Sequence, residues 1–372
     1  MARPIDLIHW LLPATLAILA SSAVPAAAMQ VTVKPDPVVR IMSQDASGTE
    51  PLGRVAWVAL DSHDRVLIAD GALQRIVAYD ERGVPRASAG REGSGPGEYT
   101  MPEWIGVCLP GDSVVVYDLM AQRLSILDSR LEFVRTINVT GTPSQFACAA
   151  DGYLWYLDMR RSGPMTAASS RAVAAVRRLD LHTGSTTTVS EHQPLTDLVS
   201  LRGFPTVALH GRMTSLAVRG SDVIIATGDS MGRSIIPATG GAARKLAPVT
   251  WPAIEPTDAT RSATAAWFTG RMPDVAVANV MMKRMLAAPQ PDIDVFYRRV
   301  LVDPMGMIWT QHSLPGEPVV RLAIESIDGK TLGKVTLRVN GDVLAVGRTR
   351  LAILTDVDDA PAVLVYTIER GG

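Results

Sequence analysis

Short apolar runs of four to six residues, separated by turn-forming residues, recur along most of the chain. One unit runs from Trp57 to Asp80, and the same order of apolar and polar positions returns from Trp104 to Asp128. The matching tryptophans are 47 positions apart and the matching aspartates 48. Strands of this length with closely spaced turns are typical of antiparallel sheets. A repeat of this period with four strands per unit is typical of a β-propeller.

Six such units account for most of the chain. Five have four predicted strands, the sixth has three, and a lone strand at residues 38–42 is spare. The units cover residues 53–89, 102–140, 143–190, 204–248, 296–338 and 339–370. A propeller closes its ring by pairing strands from its two ends, which removes exposed sheet edges. We therefore predict an all-β, six-bladed β-propeller of four-stranded antiparallel blades, closed by the N-terminal strand.

Residues 252–290 interrupt the pattern between units four and five. They are rich in Ala, Met and Thr and contain two predicted helices, 258–268 and 275–288. Asp274 is well placed to cap the second helix. Four apolar residues of that helix share one face: Val277, Val280, Met281 and Met285. The insertion is either a helical excursion packed on the side of the propeller or a lid over one face of the ring.

The first 28 residues have the pattern of an export signal. Arg3 gives a short basic start, an apolar stretch follows over residues 7–20, and small residues precede Met29. The apolar run is short for a spanning helix, which needs roughly 20 residues; an uncleaved anchor is the alternative. We predict a signal peptide over 1–28 and a mature propeller over 29–372. The location is then periplasmic or secreted, with no membrane span after cleavage.

Cys108 and Cys148 are the two cysteines of the chain. Each lies ten residues before the aspartate that ends its strand pair, so the two occupy the same position in consecutive repeats. A disulfide between neighbouring blades is one interpretation, in keeping with an oxidising compartment. Two small buried thiols are the other, because equivalent strands of adjacent blades can lie beyond bridging distance.

The Gly-rich loop at residues 90–99 joins units one and two. Its four glycines and one proline are incompatible with a helix or a regular strand. It lacks the strand–loop–helix context and the Lys-Ser/Thr pair of a phosphate-binding loop, so no nucleotide cofactor is predicted. Arg91 and Glu98 flank the loop and are candidates for a clamp to a neighbouring blade and for ligand or partner binding.

Carboxylates recur at the ends of the second strands. They are Asp70, Asp118 and Asp158, and a ring of them would suit a metal ion or acid catalysis. Arg75 and Arg123 follow the first two by five residues, which favours turn-capping or ion-paired aspartates. The histidines are scattered, and none has a histidine partner at ligand spacing. No metal site, cofactor or catalytic residue is therefore assigned.

Charge and aromatic content narrow the choice of partners. The net charge is −1 and aromatic residues make up 5% of the chain. Neither value favours nucleic-acid binding, and we expect no nucleic-acid partner. Four tryptophans recur on strands and are predicted inter-blade core: Trp57, Trp104, Trp155 and Trp309. Trp251 and Trp267, at or in the insertion, and His312, at the end of a strand, are the candidates for ligand or partner contact.

Three groups of motifs carry a family resemblance. They are the loop 90–99 with Pro102 and Trp104 after it, the segment 302–309, and the closing segments 340–347 and 365–370. On these motifs the chain resembles the six-bladed β-propellers of bacterial exported proteins related to the NHL-repeat group, over nearly all of residues 38–370. The resemblance implies a propeller fold. It also implies a choice of functions, because such groups include protein- and RNA-binding modules, and related propellers include metal-dependent lactonases and lyases.

We accordingly expect a non-enzymatic binding or scaffold propeller that acts outside the cytoplasm as a monomer. Its protein or small-molecule ligand should lie at the mouth of the channel or under the insertion. The alternative is a metal-assisted, lactonase-like hydrolase or lyase that uses channel carboxylates, with Ca²⁺ or another divalent cation as its cofactor.

Overall fold

The structure of the protein is a computed structural model that describes most of the chain. It covers residues 30–42, 52–108, 111–148, 152–160, 169–201, 204–228, 232–248, 251–252, 254–270, 272, 274–288, 297–314, 316–358 and 360–371. The predicted signal peptide, residues 1–28, lies outside the described residues.

Six antiparallel blades form the fold, as the repeat predicts. Two short strands come first, β1 (Gln30–Val33) and β2 (Val39–Met42). Blade one consists of β3 (Val55–Leu60), β4 (Val66–Asp70), β5 (Arg75–Tyr79) and β6 (Pro85–Ala89). Blade two consists of β7 (Pro102–Cys108), β8 (Ser113–Asp118), β9 (Arg123–Leu127) and β10 (Phe133–Asn138).

Blade three has one strand more than the sequence predicts. Its strands are β11 (Pro143–Cys148), β12 (Tyr153–Arg160), β13 (Ser169–Asp180), β14 (Thr186–Leu201) and β15 (Phe204–Val207). The fifth strand pairs with the end of β14, which extends well past the predicted limit of the blade. Residues 204–207 therefore belong to blade three and not to blade four. Residues 161–168, between β12 and β13, lie outside the described residues.

Blades four and five have four strands each. Blade four consists of β16 (Ser215–Arg219), β17 (Asp222–Ala226), β18 (Ser234–Ile236) and β19 (Arg244–Lys245). Two helices follow it, α1 (Asp258–Thr269) and α2 (Val275–Ala287). Blade five consists of β20 (Arg299–Val302), β21 (Ile308–Gln311), β22 (Val320–Glu325) and β23 (Thr331–Leu337).

Blade six closes the ring with strands from both ends of the described chain. It contains β24 (Asp342–Val346), β25 (Arg350–Val357) and β26 (Ala360–Gly371). Both β1 and β2 pair antiparallel with β26, one after the other, with Val33 opposite Ile368 and Val39 opposite Val365. The predicted closure by the N-terminal strand is confirmed, and the structure adds β1 to the single strand expected.

Apolar side chains fill all six junctions between neighbouring blades. Trp155 and Trp309 are fully buried, at the junctions of blades three and four and of blades five and six. Trp104 is buried between blades two and three. These three tryptophans form inter-blade core as predicted, whereas Trp57 is only half-buried and borders the channel.

The repeated aspartates hold each blade to the segment that enters it. Asp118 accepts hydrogen bonds from the backbone N–H groups of Thr100 at 2.8 Å and Met101 at 3.0 Å, just before β7. Asp70 does the same for the residues before β3, and Asp158 accepts from the residue before β11. Buried backbone donors need such partners. The prediction that these carboxylates cap turns is therefore confirmed.

The two helices have the predicted positions but not all of the predicted contacts. Thr257 caps α1, and Asp274 caps α2 through the N–H groups of Ala276 and Val277. On α2 the buried residues are Ala278 and Met285. Val277 and Val280 are about half exposed, at 52% and 49%. The predicted apolar face of α2 is therefore wrong in part, because the helix packs through small Ala278 and Met285, the latter beside Leu209 and Ala265.

Candidate functional site

The first strands of the six blades line a central channel. Their residues enclose a cavity of about 210 Å³, which is lined mostly by apolar side chains, although polar atoms form nearly half of its surface. The turns between first and second strands line a second cavity of about 240 Å³ at one end, where Ser62, Gly220 and Pro304 lie. The other end of the channel is where the chain enters each blade.

Arg299, the first residue of β20, brings a positive charge into the channel wall. Its guanidinium carbon lies 4.8 Å from the ring centre of Trp57, at cation–π distance. Trp57 belongs to blade one, so the arginine side chain reaches past the first strand of blade six. The next residue, Val300, packs into the junction with blade four instead, as alternation along a strand requires.

Two other polar side chains of the channel wall have partners in the neighbouring blade. Gln145 of blade three donates to the carbonyl oxygen of Thr214 and accepts from the N–H of Leu216 at 3.1 Å. Ser215 of blade four accepts from the N–H of Val300 in blade five at 2.9 Å. These side chains tie the first strands of the blades together.

Among the residues that the structure describes, Arg299 has no comparable partner. Its Nε atom is buried and makes no hydrogen bond with any of them. The nearest acidic influence is Asp342, but Arg298 binds that carboxylate through two hydrogen bonds, of 2.6 and 3.0 Å. Burial, and the adjacent charge of Arg298, lower the pKa of Arg299 from 12.5 to about 10, against the opposing attraction of Asp342. The Arg299 guanidinium remains charged at neutral pH without a carboxylate of its own.

Helix α1 lies beside this end of the channel. The ring centre of Phe268, near the end of α1, is 5.5 Å from the guanidinium carbon of Arg298. Arg298 thus contacts the helix on one side and the first strand of blade six, through Asp342, on the other. The helical insertion therefore borders the end of the channel that holds Arg299.

The predicted site residues Arg91 and Glu98 form an ion pair within the Gly-rich loop. Arg91 donates to Glu98 at 2.8 and 2.9 Å, and Glu98 also accepts from the N–H of Gly95 at 2.8 Å. The Gly95 N–H, and then Arg91, hold the pKa of Glu98 below its usual value. The loop is fastened to blade two by Arg123, which donates to the carbonyl oxygens of Ser94, Gly95 and Glu98. Their role in ligand binding stays a prediction.

Trp251 and His312 meet at the edge of blades four and five rather than in the channel. Their rings stack with centres 5.3 Å apart, and Lys334 lies 5.0 Å from the ring of Trp251. Trp251 packs on the apolar cluster between the two blades. A ligand role for this pair also stays a prediction.

Trp267 lies in α1 and is 5% exposed, so its side chain offers little surface to a partner. The same helix is fixed through Thr264, whose hydroxyl is 2.6 Å from Nε2 of buried His210. Burial, with a contribution from Arg261 and Arg298, lowers the pKa of His210 to about 4. His210 is therefore neutral at pH 7.

Cys108 and Cys148 are joined by a disulfide, with Cα atoms 5.1 Å apart. They are the last residues of β7 and β11, so the bond links the first strands of blades two and three.

Within the described residues, no group of three or more His, Cys, Asp or Glu side chains is arranged to hold a metal ion. The metal-assisted alternative and its cation thus stay predictions. In the same part of the chain, no helix is long and apolar enough to cross a membrane.

Sequence reasoning missed Arg299. The first strand of blade five lies within predicted unit five, but Arg298 and Arg299 are adjacent arginines at the start of this strand and look alike in the sequence. A charged residue on a strand that should line the channel was the available clue. Arg298 is the one that pairs with a carboxylate, and that carboxylate, Asp342, lies in the next blade, so the local sequence does not identify it.

Comparison with known proteins supports the propeller. A family described as a 6-bladed beta-propeller, DUF5128, matches residues 48–180, which span blades one and two and part of blade three. No curated protein matches the chain. The structure is similar to that of a DUF4221 family member from Bacteroides vulgatus, with a TM-score of 0.53, 10% identity, and 92% of this chain and 99% of the other covered.

A candidate exported protein from Bacteroides fragilis gives a TM-score of 0.50 and 10% identity, with 93% of this chain and 96% of the other covered. Identities this low show the fold alone. The chain is thus a six-bladed β-propeller, and its relation to the NHL-repeat group stays a prediction.

Proposed function

We propose that the protein is a non-catalytic binding module that acts outside the cytoplasm. Its ligand occupies the channel at the end beside α1, where Arg299 and Trp57 face each other.

The observation that carries this proposal is the contact between Arg299 and Trp57 in a cavity of about 210 Å³. Concave sites that combine apolar walls with a few placed polar groups are the usual binding sites for small ligands. Gln145 and Ser215 form hydrogen bonds with neighbouring blades, whereas Nε of Arg299 forms none with the described residues. Arg299 is therefore the polar group of the wall that is best placed to contact a ligand.

Two features support a location outside the cytoplasm. The first 28 residues have an export-signal pattern. The disulfide between Cys108 and Cys148 is of a kind that persists in oxidising compartments.

The proposal is tested by blocking the channel. Ala345 is half-buried and lines the cavity, so Ala345→Trp should fill it. A small-molecule panel is screened against the full chain by saturation-transfer NMR. We expect ligands whose signal disappears with Ala345→Trp and persists with Ser88→Trp, a control on the exposed outer strand of blade one. Ligands whose signal persists with Ala345→Trp, or a panel in which no compound binds, would contradict the proposal.

The non-catalytic part has its own test. A screen of lactones and esters is run with the same protein, with and without a chelator. We expect no turnover above that of the heat-denatured chain. Turnover that the chelator abolishes would establish the metal-assisted alternative in its place.

A further inference from the structure

We propose that the channel ligand is a compact organic acid, and that Arg299 binds its carboxylate while Trp57 and the apolar wall contact its body. This inference rests on the proposed function and adds the chemical class of the ligand.

The first argument is charge. A buried ion is costly unless an opposite charge accompanies it. Buried Arg233 meets this requirement, because it is paired with the buried carboxylate of Glu325. Arg298 meets it through Asp342. Within the described residues Arg299 has no such carboxylate, and those that line its cavity include no acidic side chain.

The second argument is the direction of the free hydrogen-bond donor. A guanidinium presents its N–H groups as a rigid fork in one plane, which suits the two oxygens of a carboxylate. In Arg299 the guanidinium carbon lies over the ring of Trp57, 4.8 Å from its centre. Nε is buried and has no partner among the described residues, while the side chain as a whole is part-exposed. The contact with the tryptophan therefore holds the guanidinium in the channel wall, where its accessible N–H groups can receive an anion.

The third argument separates a carboxylate from phosphate or sulfate. One guanidinium balances a single negative charge, whereas a doubly charged oxyanion would leave a charge unpaired, because the described residues that line the cavity include no second cation. The wall beyond Arg299 is formed by residues such as Trp104, Ile105 and Phe146. It suits an apolar body attached to the anion. The cavity of about 210 Å³ is below the roughly 300–1,000 Å³ of drug-sized sites, which limits that body to a small one.

The test compares acids with their neutral amides. The probes are acetate, hexanoate and benzoate, with acetamide, hexanamide and benzamide as matched controls and inorganic phosphate as the competing anion. The full chain is labelled with ¹⁵N-arginine, and the Nε–H resonance of Arg299 is followed during titration. A hydrogen bond to a charged group predicts that hexanoate or benzoate binds about tenfold or more tightly than its amide.

Three variants give matched comparisons. Arg299→Met should reduce the affinity for the acid to that for the amide, whereas Arg299→Lys keeps the charge and should lose only part of the preference. Arg130→Met removes the same charge from an exposed turn and should leave acid binding unchanged. Arg299→Met should also raise the melting temperature of the ligand-free protein, because it removes a part-buried charge that has no carboxylate partner among the described residues. A purely structural arginine would show a fall instead.

Several results would overturn the inference. They are acids that leave the Arg299 Nε–H resonance unmoved, amides that bind as tightly as acids, phosphate that binds as tightly as benzoate, and unchanged acid affinity in Arg299→Met. The comparison of acid with amide uses the unaltered protein, so it decides the matter even where a variant does not fold. Neutral or cationic ligands that the Ala345→Trp block excludes would preserve the proposed function while overturning this inference.

Discussion

Aspartate side chains cap turns at two kinds of position in this chain, and the two kinds differ in how deeply the carboxylate is buried. Asp118 is fully buried and accepts hydrogen bonds from three backbone N–H groups. Asp128 accepts two, from Arg130 and Glu132, in an exposed turn. When a carboxylate is lost, exposed donors regain water, but buried donors do not.

Replacement of Asp118 should therefore cost more than replacement of Asp128. We expect Asp118→Ala to lower the free energy of unfolding by about 2–4 kcal/mol, because three part-buried N–H donors lose a fully buried acceptor. Asp128→Ala should lose about 1 kcal/mol, as for a solvent-exposed cap. Urea denaturation of both variants measures the difference. Equal losses would show that the burial of the Asp118 carboxylate does not matter.

Residue roles were predictable from the sequence where the partners are local. The aspartates at the ends of second strands recur with the repeat, and their backbone partners lie at fixed distances along each unit, so their capping role follows from the pattern. Arg299 is different, because its environment is set by Trp57 and Asp342, in two other blades. No local pattern distinguishes it from Arg298.

At the scale of elements, apolar periodicity placed most of the strands and both helices, but not the contacts of α2. Val277 and Val280 satisfy a helical period, yet the buried residues of α2 are Ala278 and Met285, and Met285 packs beside Leu209 and beside Ala265 of α1. The fifth strand of blade three was missed for a related reason. Residues 204–207 pair with an extension of β14, and nothing in their own composition assigns them to the earlier blade.

The docking of α1 should depend on pH through His210. Burial of the imidazole lowers its pKa in the folded protein to about 4, from the ordinary histidine value of 6.5. The folded state therefore binds fewer protons, and the stability it gains above pH 6.5 is lost as the pH falls towards 4. A shift of this size corresponds to on the order of 3 kcal/mol.

Melting temperature measured between pH 7 and pH 4 provides the test. We expect His210→Gln, which does not titrate and can still bond to Thr264, to lose less stability over this interval than the unaltered protein. His63→Gln, at an exposed turn, should behave like the unaltered protein. If His210→Gln shows the same pH profile as the parent, protonation of His210 does not govern the docking of α1.

At the scale of the whole molecule, stability depends on the closure of the ring. Ile41 in β2 is 4% exposed and packs into the junction of blades six and one, whereas its neighbour Arg40 points to solvent. Replacing each residue in turn therefore distinguishes the contribution of packed side chains in the closing strand from that of its exposed side chains.

We expect Ile41→Ala to lower the free energy of unfolding by about 2–5 kcal/mol, through lost burial and the cavity left behind. Arg40→Ala should change it by about 0.5 kcal/mol or less. Urea unfolding is followed by tryptophan fluorescence and by far-ultraviolet circular dichroism. The two curves should coincide, because the blades share one closed ring. A minor effect of Ile41→Ala would mean that the ring holds without the closing strand.

The pairing of β1 and β2 with β26 also sets a temporal order for folding. Of the described strands, β1 and β2 are made before every blade, yet their partner, β26, is made last. Until β26 has been synthesised, β1 and β2 have no sheet edge to pair with, and blades one to five can assemble only as an open arc. The first part of the described chain to be synthesised is thus among the last to reach its final place.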